Sequence, residues 1–329
     1  MSAKSELKTY LEASGDKRDR TAEITEILEK YGFCELGPGL FTVSGVNVPE
    51  YGMLRGSGNS TVLYLNDEVR EGYTVRLSTS ASISDCRLTG GETAPEVSET
   101  AGTRHGVLWE GTYNVDKSFP SRGTVHNLTI QNYQGGGITC RNTGYPVQGG
   151  LNVTDCYIMY CDAGVNIPYW SEFNRFTNVH SHKCYYGLIN NGGNNNFVNC
   201  CFSSNALGIL MDNKDNQSPN NTHGSMIGCM VDHSGGNKGT GVRILNTHAG
   251  YIFTGCHFFF SKIEVIDSEG IIFSDQDAGK EEKILVSGGG LVIFSKCMYK
   301  TMPEITVINN DNVHFDSCYL RNGEKVKPV

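Results

Sequence analysis

No apolar run in the 329 residues approaches the roughly 20 needed to cross a bilayer as a helix, so membrane insertion is not expected. The opening stretch, Met1-Ser2-Ala3-Lys4-Ser5-Glu6-Leu7, lacks the apolar centre of a secretory signal, and no signal peptide is expected. No basic patch or stripe offsets the formal net charge of −8, which argues against a nucleic-acid partner. None of the 12 cysteines forms a Cys-x-x-Cys pair, so a zinc site is not expected. No cluster of acids marks a calcium site either. The sequence therefore predicts no metal and no cofactor.

What is present is a motif that recurs without being copied: an aromatic or aliphatic residue, two small or polar residues, then usually Cys. It reads Ile83-Ser84-Asp85-Cys86, Val153-Thr154-Asp155-Cys156, Phe197-Val198-Asn199-Cys200, Met226-Ile227-Gly228-Cys229 and Phe253-Thr254-Gly255-Cys256. Phe294-Ser295-Lys296-Cys297 and Phe315-Asp316-Ser317-Cys318 continue it. Degenerate copies are expected at Leu128–Gln131, Phe176–Val179 and Phe273–Gln276. From 179 onward the fourth position recurs at 200, 229, 256, 276, 297 and 318, steps of roughly 20 to 29 residues, the range of solenoid repeats. Each copy is a short strand signal among Gly, Asn and Asp. Several are followed by a second short strand, as in Ala163-Gly164-Val165, Tyr186-Gly187-Leu188, Leu207-Gly208-Ile209 and Thr240-Gly241-Val242.

One coil of a solenoid is thus written repeatedly, and the fold class predicted is all-β: a single-stranded right-handed parallel β-helix with an N-terminal capping helix. The 40 glycines, roughly 12% where about 7% is average, suit a chain that turns every few residues. Stacked equivalent positions lie about 4.8 Å apart, so the cysteines are expected to form a reduced, inward-facing ladder of small hydrophobes. Folding in a reducing cytoplasm follows from that expectation.

Residues 1–33 read as a helical cap. Asp19-Arg20-Thr21 opens a helix with Ala22, Ile24, Ile27 and Leu28 as its apolar stripe, ending near Tyr31-Gly32. Residues 34–329 read as the solenoid, with loop insertions at about 92–121, 212–223 and 232–238. Gly37-Pro38-Gly39-Leu40-Phe41-Thr42-Val43 and Leu54-Arg55-Gly56-Ser57-Gly58-Asn59-Ser60-Thr61-Val62-Leu63, following that helix, resemble the N-terminal coils of the pectate-lyase-like superfamily. More narrowly they are similar to bacteriophage tailspike and tail-fibre β-helix domains, as is the stretch from Trp170 to Gly224. The resemblance implies a homotrimer that binds, and often cleaves, bacterial surface polysaccharide. It also implies a place in a virion tail for a phage protein; otherwise the chain is expected to be cytoplasmic at synthesis, and either to stay where it is made, to leave by a route needing no signal peptide, or to have been trimmed.

The residues just past the small-Gly-strand segments are expected to line one longitudinal band. They are Pro168–Glu172, Asn190–Gly193, Asp212-Asn213 and Asn246–His248. Sugar recognition needs aromatic faces for the ring and amides or carboxylates for hydroxyls. Tyr169, Trp170, Asn190, Asn191, Asn213, His223, Arg243 and His248 are the candidate substrate contacts. Glycoside hydrolysis needs one protonated and one ionised carboxylate. Glu172 and Asp212 are the preferred pair, on coils separated by one other, with backbones on the order of 9–10 Å apart. That separation suits an inverting reaction, and Asp162 is a third carboxylate able to replace either.

Blander readings apply to the same residues. Asp212 and Asp162 suit turn capping, His223 and His233 suit hydrogen-bonding spacers, and Arg243 suits an ion pair with Asp232. The polygalacturonase pattern of Asn-Thr-Asp, Asp-Asp and Gly-His-Gly is absent. The function expected is a tailspike-like depolymerase that hydrolyses glycosidic bonds. The alternatives are a non-catalytic receptor-binding or structural fibre, and then a polysaccharide lyase or sugar transferase.

Overall fold

Each repeat turns on its third position. The computed structural model describes residues 8–111, 122–141, 148–214, 222–232, 239–279 and 282–326. In it the residue before each cysteine of the repeat is left-handed, with φ of 57° at Asp85, 55° at Asp155, 52° at Asn199 and 60° at Gly255. That conformation costs roughly 1–2 kcal/mol for most residues and little for Gly, Asn or Asp, which explains the composition of the third position. The strand Asn195–Val198 ends just before Asn199, and Cys201–Ser203 begins just after Cys200. The same corner places the degenerate copy three residues earlier than expected. Val125 pairs with Ile83, Leu128 pairs with Cys86, and Asn127 takes the left-handed turn at 51°.

The architecture is a right-handed parallel β-helix, the sense that connections between parallel strands nearly always take. By contacts the chain forms two compact units, Met1–Asn166 and Ile167–Val329. In the first, the helix Thr21–Tyr31 buries only Ile24 and Leu28, while Ala22 is exposed and Ile27 half-buried. The apolar stripe is therefore narrower than the sequence suggests. Glu23 sits in the first turn, where the helix dipole favours an acid. Gly32, at φ 68°, closes the helix by donating its N–H to the Leu28 carbonyl. Upstream of the helix, Tyr10–Leu11 is a strand paired with Glu35 and Leu36, where a purely helical cap was expected.

Inward ladders then build the core of this unit. Phe41, Leu63, Leu88, Ile130 and Ile158 stack in register, and Val48, Leu77, Trp109 and Cys140 form another. Trp109 therefore belongs to a core strand, Arg104–Trp109, and not to the insertion expected over 92–121. Among the described residues, the excursion from the wall lies between Thr89 and Arg104. The remainder of that expected loop, 112–121, lies outside the described residues. So do 215–221 and 233–238, which hold most of the other two expected insertions and His233.

In the second unit one ladder runs Phe176, Phe197, Met226, Phe253, Phe273, Phe294 and Phe315. Phe273 and Phe294 stack with centroids 4.9 Å apart and planes 5° from parallel, and Phe294 stacks on Phe315 at 4.7 Å. Such pairs contribute roughly 0.5–1.5 kcal/mol each beyond burial. Leu188, Ile209, Val242, Ile263, Ile284 and Ile305 form the facing ladder. Eleven of the twelve cysteines are buried, and Cys201 is half-buried. Among the described residues no helix is long and apolar enough to cross a membrane.

Candidate functional site

Register assembles the band in the second unit. Ile189 pairs with Leu210, and Asp212 pairs with Leu245. The residues leaving these strands therefore meet on neighbouring coils. Asn191 Oδ1 accepts the Asp212 N–H at 2.9 Å, while the Asn191 N–H donates to the Ile167 carbonyl at 2.8 Å. Asn246, left-handed at φ 52°, reaches back and donates its amide to Asp212 Oδ1 at 3.1 Å. From the other side Tyr169 Oη donates to the Asp212 carbonyl at 2.9 Å. Asp212 is thus held by three coils. Its Oδ1 also accepts the Lys214 N–H at 2.9 Å, the short-range turn bond that Asp commonly makes.

Glu172 sits in the tight excursion Pro168–Asn174. Both Trp170 (φ 63°) and Phe173 (φ 60°) are left-handed there, a conformation that is a clear outlier for bulky side chains. Strain of this kind, on the order of 1–3 kcal/mol per residue, persists only where surrounding structure enforces it, and it concentrates at ligand sites. The enforcing structure is an asparagine network beneath the loop. Asn174 Nδ2 donates to Asn195 Oδ1 at 2.9 Å, and Asn195 Nδ2 donates to Asn190 Oδ1 at 2.9 Å and to the Ser171 carbonyl at 3.1 Å. Above it, Glu172 is nearly closed off, 8% exposed, with Oε2 accepting the Asn194 amide at 3.0 Å.

The candidates expected from the sequence separate into two groups. Tyr169, Asn191 and Asp212 are bonded into one cluster, and Trp170 is half-exposed beside Tyr169. Asn190 and Asn213, placed among the substrate contacts by sequence, lie in the interior at 0% and 1% exposure. Asn190 instead holds the loop floor, because its side chain points inward at the strand end where Asn191 points outward. Arg243 takes Glu264 as its ion-pair partner, Nε to Oε2 at 2.6 Å, because the two residues are register neighbours. Lys262 joins the same carboxylate at 2.7 Å, and these cations hold the Glu264 carboxyl below its usual range against the opposing effect of burial. His248 lies 3.6 Å from Glu269, with both side chains about half-exposed. His223 is half-buried, and its Nδ1 has no hydrogen-bond partner among the described residues.

Asp162 belongs to the first unit. Its Oδ1 accepts the Ser98 N–H at 2.8 Å and its Oδ2 the Gly102 N–H at 3.0 Å, so both oxygens hold the excursion that precedes Arg104. Of the two amides that hold the carboxylates, Asn246 was expected in the band, though not as a substrate contact, and Asn194 was not expected there. Both are left-handed, Asn194 (φ 53°) just before the strand Asn195–Val198 and Asn246 (φ 52°) just past the strand Thr240–Leu245, and sequence shows each only as one Asn among many. Among the described residues no group of three or more His, Cys, Asp or Glu is placed to hold a metal.

The fold defines the chain as a right-handed parallel β-helix. In fold it is similar to the tailspike protein of E. coli bacteriophage HK620, with a TM-score of 0.68, 9% identity, and coverage of 94% of this chain and 64% of that one. The enzymatically active domain of tailspike protein 2 of bacteriophage CBA120 matches at 0.62 and 13% identity, over 93% of this chain and 50% of that one. The tailspike gp49 of Acinetobacter baumannii bacteriophage Fri1, a capsular polysaccharide depolymerase, matches at 0.58 and 12% identity, over 98% and 64%. The chain thus spans between half and two thirds of the length of these proteins. No protein-family model matches the sequence, and no curated protein does.

Proposed function

We propose that the protein binds a bacterial surface or extracellular polysaccharide along the second-unit band and hydrolyses its glycosidic bonds. The observation that carries this reading is Asp212 held by Tyr169, Asn191 and Asn246 from three coils, beside a strained loop that presents Trp170 and contains Glu172. Half-exposed Tyr169 and Trp170 supply ring faces, and Asn191 and His248 lie along the same band to meet hydroxyls. Asp212, whose Oδ1 accepts two N–H groups, is assigned the base that activates water. Glu172, nearly closed to solvent, is assigned the acid that protonates the leaving oxygen, in the inverting arrangement. Asp162 is assigned to holding its loop. The similar gp49 tailspike is a capsular polysaccharide depolymerase, which supports the reaction class.

A homotrimer is part of the proposal. Ile252, Ile272 and Ile293 stack outward on one face of the second unit, an apolar ladder suited to another copy of the chain. A virion-tail location and reduced thiols complete it. The second reading, a receptor-binding fibre without catalysis, is favoured by one observation: both carboxylates are already engaged, by Asn194 and by Asn246 with Lys214. Incubation with a polysaccharide panel separates the two. Oligosaccharides carrying one added water, lost in Glu172→Gln and Asp212→Asn with binding retained, support hydrolysis; binding without products supports the fibre.

A further inference from the structure

The first unit carries a cavity of about 370 Å³ on the outer face of its wall, within the roughly 300–1,000 Å³ range of small-ligand sites. Its floor follows from register. Leu40, Val62 and Arg87 are paired across three coils, and beside them run Thr42, Tyr64, Thr89 and Gln131. Strand alternation sends these side chains outward while Phe41, Leu63, Leu88 and Ile130 go to the core. One rim is an ion pair, Lys17 Nζ to Glu92 Oε1 at 2.8 Å, which joins the segment before the helix to the excursion beyond Thr89. That excursion is pinned at Gly91, whose carbonyl accepts the Thr89 hydroxyl at 2.8 Å and the Asn132 amide at 2.9 Å.

The charges in this cavity are matched with one exception. Glu92 is paired with Lys17, and Tyr64 Oη donates to Asp67 at 2.7 Å just beyond the rim. No hydrogen bond or ion pair joins the Arg87 side chain to another described residue, and its Nε is buried without a partner. A guanidinium presents donors in a planar fork that fits a carboxylate with two parallel bonds. A partly desolvated, uncompensated one beside an aromatic ring and a free amide is therefore an unfilled anion position inside a sugar-sized hollow.

We infer that this cavity is a binding site for a carboxylate-bearing sugar residue, a uronate or similar acidic pyranose. Its carboxylate lies against Arg87, its ring against Tyr64 and Val62, and its hydroxyls against Gln131 and Thr89. The site uses none of the second-unit carboxylates. It would hold an acidic glycan without cleaving it, since its described lining holds one carboxylate, Glu92, where glycoside hydrolysis needs two.

Calorimetric titration of the full chain with digalacturonate, neutral digalactose, acetate and inorganic phosphate tests this. The expected result is saturable binding of digalacturonate that weakens at least tenfold in Arg87→Gln and severalfold in Gln131→Ala. Neutral digalactose is expected to bind at least tenfold more weakly. Unfolding temperature and circular dichroism of each variant establish that the fold is intact, and Gln131→Ala, which removes no charge, stands if Arg87→Gln does not fold. Four results would overturn the site: no digalacturonate binding, binding unaltered in both variants, or equal affinity for acetate or phosphate, which means a simple anion position. The fourth, loss in Asp212→Asn but not in Arg87→Gln, moves uronate recognition to the second-unit band and leaves the proposed hydrolysis standing.

Discussion

The phenolic hydroxyl of Tyr169 donates to the backbone carbonyl of Asp212 at 2.9 Å, across the coil that carries Asn191. The bond ties the strained loop around Trp170 to the carboxylate assigned as base, so the geometry of the two is set together. Tyr169→Phe keeps the ring and removes the tie. Its expected cost is about 1 kcal/mol of stability, the usual size of one hydrogen bond, with weaker glycan binding measured by titration. Wild-type affinity in this variant would show that the loop is held without Tyr169.

The left-handed corner makes a second prediction. A Cβ added at Gly255 meets no atom within 4 Å, so substitution there tests backbone strain alone. Gly255→Val should lower stability by roughly 1–2 kcal/mol, and Gly255→Asn by clearly less. Thermal unfolding of the two variants checks the order; equal losses would mean that the third position is not selected by its φ.

This corner also separates what sequence revealed from what it did not. The Phe-x-x-Cys spacing disclosed the coil because buried Phe and Cys repeat at fixed register. The copy near Leu128 was displaced by three residues because Asn127, not the aliphatic residue, marks the bend. Asp212 and Glu172 were visible as carboxylates following strand ends. The bonds that hold them, from Asn246 and Asn194, were not, since a side chain reaching between coils leaves no spacing to read. Arg243 was paired in expectation with Asp232, whereas its ion-pair partner, Glu264, is its register neighbour one coil on. The cavity at Arg87 escaped notice for the same reason, being assembled from strands more than twenty residues apart along the chain.

Thiol accessibility provides a third prediction. Burial pushes the Cys34 and Cys156 thiols up to about 12, and the reactive species is the thiolate. At pH 8 the native protein should react with Ellman's reagent at Cys201 at most, and the denatured protein at all 12 cysteines. Several fast-reacting thiols in the native state would refute a reduced interior ladder, and fewer than 12 on denaturation would point to disulfides.

Stability should also fall on acidification through His105. Burial pushes its pKa down from 6.5 to about 4, and Nδ1 takes the Gly136 N–H at 3.0 Å and lies 3.1 Å from the Thr139 hydroxyl. Between those values the unfolded chain binds a proton that the folded chain refuses. The contribution is therefore complete above about pH 6.5 and is lost as pH falls toward 4. Its size is on the order of 2 kcal/mol, allowing for partial exposure. Unfolding measured from pH 7 to pH 4 should show a smaller decline in His105→Gln than in wild type; parallel curves would remove His105 from the account.

The most direct test of the central claim is product analysis by reducing-end assay and mass spectrometry after incubation with bacterial and plant polysaccharides, for wild type, Glu172→Gln and Asp212→Asn. The account predicts oligosaccharides one water heavier than the repeat, and a loss of at least about 100-fold in each variant with glycan binding retained, as expected when an acid or base is removed. Undiminished cleavage in both variants, or products one water lighter with unsaturated-uronate absorbance, would contradict it.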